Sequence, residues 1–336
     1  GAVTRQVQLV RARVMGEGTL TTGALIGEAV SDNKLWSMAG VLSIGEDIGF
    51  GGTLALNEML ARTQVRVTDD AGIRTSFGDV RLSARDDTRG VAMGVAGVGS
   101  VNSTGISAAN GVILSRSAVD AIIDGGAVID SYKGVSAEAV RSQELAGLAY
   151  QVVIASSVGA GGALGLAVDK GITTALIEDA DITASDNVAL RARNNTKVVS
   201  SGMGGGYGGS AGVTGSVSIT VKNDTVTSLV SDSYIRGGDV MVEALNGGRI
   251  DSIGGADETF FGSFDQATLN LTFGNSAAIG VSVAVIDSAA DVRAAIDEDS
   301  EVIATRTAGF GVEGVRRREN SETWMERESE FYHGVA

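Results

Sequence analysis

The alternation of hydrophobic and polar residues along the chain predicts a series of β-strands. It is clearest in the segment 216–221, with the sequence SVSITV, where serine or threonine alternates with valine or isoleucine. A period of two indicates a strand with one face toward a core, and we expect the apolar members to be the buried ones. Equivalent segments are followed by small polar residues such as Ser115 and Asp169, which favour a turn or a hydrogen-bonded ladder.

A short signature recurs through the chain and sets its period. The clearest copies are GDVRLSA at 78–84 and GDVMVEA at 238–244. The third position of successive copies is occupied by Val80, Val135, Val188, Val240 and Phe310, and only the last interval is clearly longer than the others. A regular repeat of this size, about 53 residues, is typical of a stacked array in which each unit buries its apolar face against its neighbours.

The repeat predicts an all-β fold, a parallel β-solenoid, in which these five positions form a ladder. Each repeat of about 53 residues could be one wide turn of long strands or two narrower rungs, and the period fits both. We expect a single elongated body of about five to six repeats over residues 1–315, with an insertion within 245–280 that accounts for the longest interval. Residues 316–336 form a charged tail, predicted as a short helix or a terminal strand.

The composition fits such a fold and excludes several classes of partner. The chain has no proline, which cannot donate to a strand ladder, and its 48 glycines allow backbones to approach closely. It has no cysteine, and its formal charge of −15 makes nucleic acid a poor partner. The uncharged stretch 145–168 is long enough to span a membrane, but it contains Gln151 and five glycines and matches other repeats, so no membrane insertion is expected.

An acidic turn precedes each signature strand. If the copies stack in register, their carboxylates form a column, which like charges tolerate only when they are solvated or bridged by cations. The predicted calcium ligands are Asp70, Asp124, Asp179, Asp232 and Asp299. The missing G-G-x-G-x-D calcium repeat favours the other interpretation, solvated turn carboxylates, and no other cofactor is expected.

Residues for catalysis are scarce, and we predict that the chain is not an enzyme. His333 is the single histidine and lies close to the last position of the sequence. The glycine cluster 202–215 lacks the Gly-Lys-Ser/Thr of a phosphate loop. We therefore interpret these glycines as allowing backbones to approach closely in a sheet. Paired carboxylates of a β-helical polysaccharide-degrading enzyme remain a remote alternative.

The segment 212–225, GVTGSVSITVKNDT, followed by the signature at 238–244, resembles the repeats of leukotoxin-type filamentous adhesins. These are similar to the filamentous-haemagglutinin-like exoproteins of two-partner secretion. A similar sequence pattern extends over residues 159–196. The resemblance implies a bacterial extracellular or cell-surface β-solenoid that mediates attachment or builds fibres, and it brings no catalytic residues.

From these observations we expect a structural subunit or segment of an extracellular filament. The sequence begins inside a repeat and stops after a signature strand, which predicts open edges that pair with further repeats or with another copy of the chain. The alternative is an adhesin stalk that binds a glycan or a host-surface protein. Its binding surface would be the insertion, with Phe260, Phe261 and Phe264.

Overall fold

The fold is a parallel β-solenoid, as the repeat predicts. The computed structural model describes residues 1–247, 249–250, 268–297, 299–305 and 310–316, and every regular element within these ranges is a β-strand. The strands form three parallel sheets, which we name sheet A, sheet B and sheet C. None of the described residues belongs to a helix that could cross a membrane.

Sheet A consists of long strands that pair in the order of the repeats. Its strands are β1 (Ala2–Met15), β4 (Ile48–Thr68), β7 (Thr104–Ile123), β10 (Val158–Glu178), β14 (Ala211–Ser231) and β19 (Ala277–Ile296). Sheet B consists of short strands at one corner of each turn. Its strands are β2 (Gly18–Thr22), β5 (Ala71–Thr75), β8 (Ala127–Ser131), β11 (Ala180–Ala184), β15 (Tyr234–Gly237) and β20 (Glu301–Ala304).

Sheet C again contains long strands, some of which are interrupted. Its strands are β3 (Leu25–Gly45), β6 (Val80–Ser100), β9 (Val135–Ala155), β12 (Val188–Asn194), β13 (Lys197–Gly208), β16 (Val240–Asn246), β17 (Arg249–Ile250), β18 (Thr268–Gly274) and β21 (Phe310–Arg316). Each coil runs from sheet A through sheet B to sheet C and then turns back into sheet A, so the described residues form six stacked coils.

The coil register shows that one repeat is one wide turn, not two narrow rungs. Val80 pairs with Val135, Val135 with Val188, and Val188 with Val240. A strand of 21 residues at a rise of about 3.3 Å is about 70 Å long, whereas six coils at a spacing of about 4.8 Å stack to about 29 Å. The long dimension of the described body therefore lies along the strands and not along the stacking axis.

Each long strand has two halves with different surroundings. Near sheet B the three sheets enclose a core of Val, Ile, Leu and Ala side chains, which includes Val67, Ile129 and Val188. In the other half, sheets A and C lie directly on each other, with small side chains such as Ala92, Ala109 and Ala149 between them. We call this two-layered half the blade. Its segments are 35–57, 90–115, 145–168, 198–221 and 268–286.

The blade reverses the burial that the alternation predicts. In β14, Ser216, Ser218 and Thr220 are fully buried, whereas the alternating valines and isoleucine point outward. The reason is the closeness of the sheets. The Ser200 hydroxyl of β13 lies within 2.6 Å of the Ser218 hydroxyl and 2.7 Å of the Thr220 hydroxyl across the interior. Mostly small side chains therefore lie between the layers, with a few larger ones such as Ile113, Leu145 and Val153, and many of the larger apolar side chains face out.

The insertion lies between β17 and β18. Lys197 pairs with Arg249, one ordinary repeat further on, whereas Gly202 pairs with Thr268, which is a clearly longer interval. The additional residues of the fifth coil therefore lie between Ile250 and Thr268. The predicted adhesive residues Phe260, Phe261 and Phe264 fall in this segment and lie outside the described residues, as do His333 and the part of the tail beyond Arg316.

Candidate functional site

The signature positions form a column through the core. Val80, Val135, Val188 and Val240 are buried and stacked in register, and the backbone of Phe310 continues the same column in the last coil. Each of these residues begins a strand of sheet C. The column therefore follows the register of one coil on the next.

The acidic residues occupy the turn between sheet A and sheet B. Asp69, Asp70, Asp179 and Asp232 have positive φ values between 46° and 61°, the left-handed region that Asp tolerates better than most residues. Asp70 donates its backbone N–H to the carbonyl of Gly125 in the next coil at 2.8 Å. The local reason for acidic residues here is thus the geometry of a tight corner.

The predicted calcium ligands are only partly brought together. Strand pairing aligns Asp179 with Asp232, but it aligns Asp124 with Glu178, one residue out of that column. The Asp124 carboxylate instead accepts a hydrogen bond of 2.9 Å from Arg66 Nε. The described residues hold no group of three or more acidic side chains that could bind a metal ion, and Asp299 lies in the turn before β20. Calcium binding at this corner stays a prediction.

A second set of polar residues lies where the core meets the blade. They point inward from the middle of the long strands of sheet A and from the facing positions of sheet C, and all are buried. We call this set the polar seam; its members are Ser31, Asp86, Ser115, Ser117, Arg141, Gln143, Asp169, Asn194, Thr196, Lys222, Asp224 and Asn246. Ser115 and Asp169 belong to it; of the two predicted alternatives, a turn or a ladder, the turn is wrong. They lie in mid-strand, in register with each other in neighbouring coils.

Arg141 is the centre of the polar seam and has no exposed side-chain surface. Its guanidinium donates to Asp169 in the fourth coil and to Asp224 Oδ1 in the fifth coil at 3.1 Å. It also donates to Gln143 at 2.8 Å, and Gln143 donates to Asp86 of the second coil at 2.6 Å. A single buried network therefore connects four consecutive coils.

Gly171 makes room for this network. It lies in register with Ser117 of the coil below and Asp224 of the coil above. A Cβ at position 171 would come within 3.0 Å of the Arg141 guanidinium. The absence of a side chain in the fourth coil therefore lets Arg141 reach the fifth.

Burial and the neighbouring charges shift the pKa values of this cluster. Burial raises the pKa of the Asp169 carboxyl, Asp224 adds to the rise, and Arg141 opposes it. Burial alone would lower the pKa of the Arg141 guanidinium, but the carboxylates of Asp169 and Asp224 raise it above its ordinary value. Asp169 Oδ2 has no hydrogen-bond partner, so the charged form of this carboxyl lacks a hydrogen bond that would otherwise stabilise it.

The sequence carries a signal for the polar seam that the repeat period alone does not reveal. In sheet A, Ser115, Asp169 and Lys222 occupy one register position, and Asp86, Arg141 and Asn194 occupy the facing position in sheet C. Aligning the repeats column by column would have shown polar residues recurring at one interior position. Which of them contact each other depends on the distance between the two sheets, which the sequence does not give.

The outer faces of the blade form a broad apolar surface. The blade segments carry no charged residue except Glu46 and Asp47, which lie in a turn at the far edge. The stretch 145–168, considered above for its lack of charge, is one of these segments and forms the adjoining halves of β9 and β10. Exposed side chains include Trp36, Ile154 and Phe50, each with more than half of its surface accessible.

Glycines hold the two layers of the blade together at backbone distance. A Cβ added at Gly111, Gly147 or Gly165 would lie less than 3.0 Å from a backbone carbonyl oxygen of the facing sheet. The glycine cluster of β13 has the same role: Gly202 faces the carbonyl oxygen of Val217, and Gly208 faces that of Ala211. The cluster is thus part of a sheet, as its sequence favoured.

Comparisons with known proteins place the chain in no group: no protein-family model, no curated protein and no solved structure matches it.

Proposed function

We propose that the chain is a structural segment of a bacterial extracellular or cell-surface filament, in which stacked coils form a broad ribbon. The observation that carries the proposal is the continuity of the coil-to-coil pairing. Sheet A pairs in register across five successive interfaces, and each interface runs the whole length of the shorter of its two strands. Every further coil would add a complete layer of backbone hydrogen bonds, so stability grows with stacking.

The dimensions of the coil favour a wide filament over a long one. Each coil consumes about 53 residues and extends the stack by only about 4.8 Å. A slender fibre would gain the same length from far fewer residues. Most residues of each coil therefore add to the width of the proposed filament and not to its length. Such a shape suits a wall or ribbon better than a thin tether.

The resemblance of the repeats to filamentous adhesins supports an extracellular or surface location. The adhesin alternative depends on the insertion, which lies outside the described residues, and it stays a prediction. No described feature favours the polysaccharide-degrading enzyme.

Electron microscopy of the purified chain tests the proposal. Negatively stained samples, with and without calcium, are expected to contain uniform fibres built by stacking. Met241→Pro should reduce fibre formation, because proline removes a backbone donor from β16, which is paired on both sides. Met241→Thr is the matched control, since it also removes the outward methionine but keeps the N–H.

Fibres in the parent chain and in Met241→Thr, with few in Met241→Pro, are the expected pattern. Isolated particles at all concentrations would contradict assembly by this chain and favour the adhesin stalk. Equal fibre formation by all three proteins would show that assembly does not depend on the stacking of coils.

A further inference from the structure

The outer face of the blade on sheet C has the chemistry of a protein interface. It is built from the outward residues of β3, β6, β9, β13 and β18. We call this surface the blade face; its larger side chains are Trp36, Met38, Leu42, Ile44, Met93, Val95, Leu148, Tyr150, Val152, Ile154, Met203, Tyr207, Leu269, Leu271 and Phe273. Aromatic residues and methionine are the types enriched in interface cores, and charged residues are depleted there.

The blade face is as large as one side of a stable complex. Five strands spaced about 4.8 Å apart, each contributing about ten residues at about 3.3 Å, cover about 800 Å². A standard interface buries about this area on each partner, whereas soluble monomers rarely expose apolar patches of more than a few hundred Å². The exposed fractions are high even in the middle coils, with Val152 at 53% and Ile154 at 59%.

We propose that the blade face binds the blade face of a second copy of this chain, so that solenoids associate laterally, sheet on sheet. The two surfaces would pack about 10 Å apart, as in a β-sandwich. Contact buries the apolar side chains that lie on the outside of the blade.

Charge and periodicity both favour a second copy as the occupant. The chain carries a formal charge of −15, and the described charged side chains lie outside the blade apart from Glu46 and Asp47. Two copies would therefore repel each other at most orientations and approach with least repulsion through their uncharged faces. The strands of a second copy also have the same spacing, so rows of side chains can interdigitate along the whole face.

This lateral contact is separate from the proposed filament, because it uses the broad side of the coils and not their stacking edges. Filaments could form without bundling, and copies could pair laterally without stacking. The variants that test the two proposals therefore change different surfaces.

Sedimentation velocity and light scattering over a range of concentrations test the blade face. The parent chain is expected to form laterally associated species. Val152→Glu should weaken association by at least about tenfold, because the contact would bury an unpaired carboxylate. The matched control is Val128→Glu in β8, where valine is 49% exposed on sheet B, outside the blade. Val128→Glu should associate like the parent chain.

Circular dichroism and thermal unfolding establish that both variants fold. If Val152→Glu fails to fold, a nitroxide label at Val152→Cys, in a chain with no other cysteine, reports copy-to-copy contact by spin–spin broadening. A parent chain that remains monomeric overturns the proposal, as does equal association of both glutamate variants. A third result would also overturn the proposal: a monomeric parent chain that floats with phosphatidylcholine–phosphatidylglycerol vesicles, with flotation abolished by Val152→Glu. The blade face would then bind lipid.

Discussion

At the scale of single residues, the polar seam shows how a few buried charges can specify the order of coils. Arg141 contacts carboxylates one and two coils away, and Gly171 leaves the space for the longer contact. A network of this kind penalises any shift of one coil on the next, because a shift would leave a buried charge without its partner. Register in the core of small aliphatic side chains is less distinctive, since one valine column resembles another.

The raised pKa of Asp169 predicts a pH dependence of stability. A carboxyl whose pKa is raised by folding stabilises the native state while it is protonated, and that contribution is lost as pH rises through the native pKa. Asp169→Asn remains neutral at every pH. The free energy of unfolding of Asp169→Asn relative to the parent chain should therefore increase as pH rises above 3.8, the ordinary pKa of Asp.

Asp79→Asn provides a control of opposite sign. A hydrogen bond from the Gly134 N–H, with the nearby Arg81, lowers the pKa of Asp79. This carboxylate stabilises the fold at pH values above 3.8 and loses that effect as pH falls through the native pKa. Urea unfolding of the three proteins across pH 3 to 8 should show Asp79→Asn losing stability relative to the parent as pH rises. Parallel curves for all three would contradict the assigned environments.

At the scale of elements, each long strand forms part of two different structures. Its half near sheet B packs around an aliphatic core, whereas its other half belongs to the blade, where mainly glycine, alanine and serine lie inside, with a few larger side chains such as Ile113 and Leu145. The polar seam separates the two halves. A single long strand can therefore change the chemistry of its inner face without changing its backbone.

A pair of glycines in β10 tests the close packing of the blade. A Cβ at Gly165 would meet backbone atoms of Ser201 and Gly147, which cannot move without separating the sheets, whereas a Cβ at Gly162 would have one neighbour, at 3.8 Å. Gly165→Ala should lower the free energy of unfolding by about 1–3 kcal/mol, as overpacking does in a tight core. Gly162→Ala should be neutral or stabilise slightly, since alanine reduces the entropy of the unfolded chain.

Chemical denaturation of the two alanine variants beside the parent chain gives the measurement. Equal effects of the two substitutions would mean that the layers of the blade are further apart than described. A loss at Gly162 alone would contradict the placement of the inner and outer faces.

The sequence predicted the elements better than their surroundings. The signature predicted the register correctly, because Val80, Val135, Val188 and Val240 do pair. The alternation in 216–221 predicted a strand correctly but the wrong buried face, since a period of two distinguishes two faces without saying which is inside. That choice depends on the spacing of the sheets, which glycines in a different strand determine. The sequence also left open whether Ser115 and Asp169 end a strand in a turn or continue it in a ladder, and both lie in mid-strand.

At the scale of the whole molecule, the body is wide along its strands and short along its stack. The period alone allowed a wide coil or two narrow rungs, because both return the chain to the same position after one repeat. The two alternatives differ in distance, however, and a chain without native cysteine is suited to measuring it.

The most direct test of the wide coil is double electron–electron resonance between pairs of nitroxide-labelled cysteines. Ile26 and Met241 both face outward and are related by four register steps, through Arg81, Ser136 and Ala189. Labels at these two positions should be separated by about 19 Å, although the positions lie far apart in the sequence. Ile26 and Ile44, at opposite ends of β3, should be about 60 Å apart. Distances of about 38 Å for the first pair and less than about 35 Å for the second would indicate two narrow rungs per repeat and contradict the wide coil.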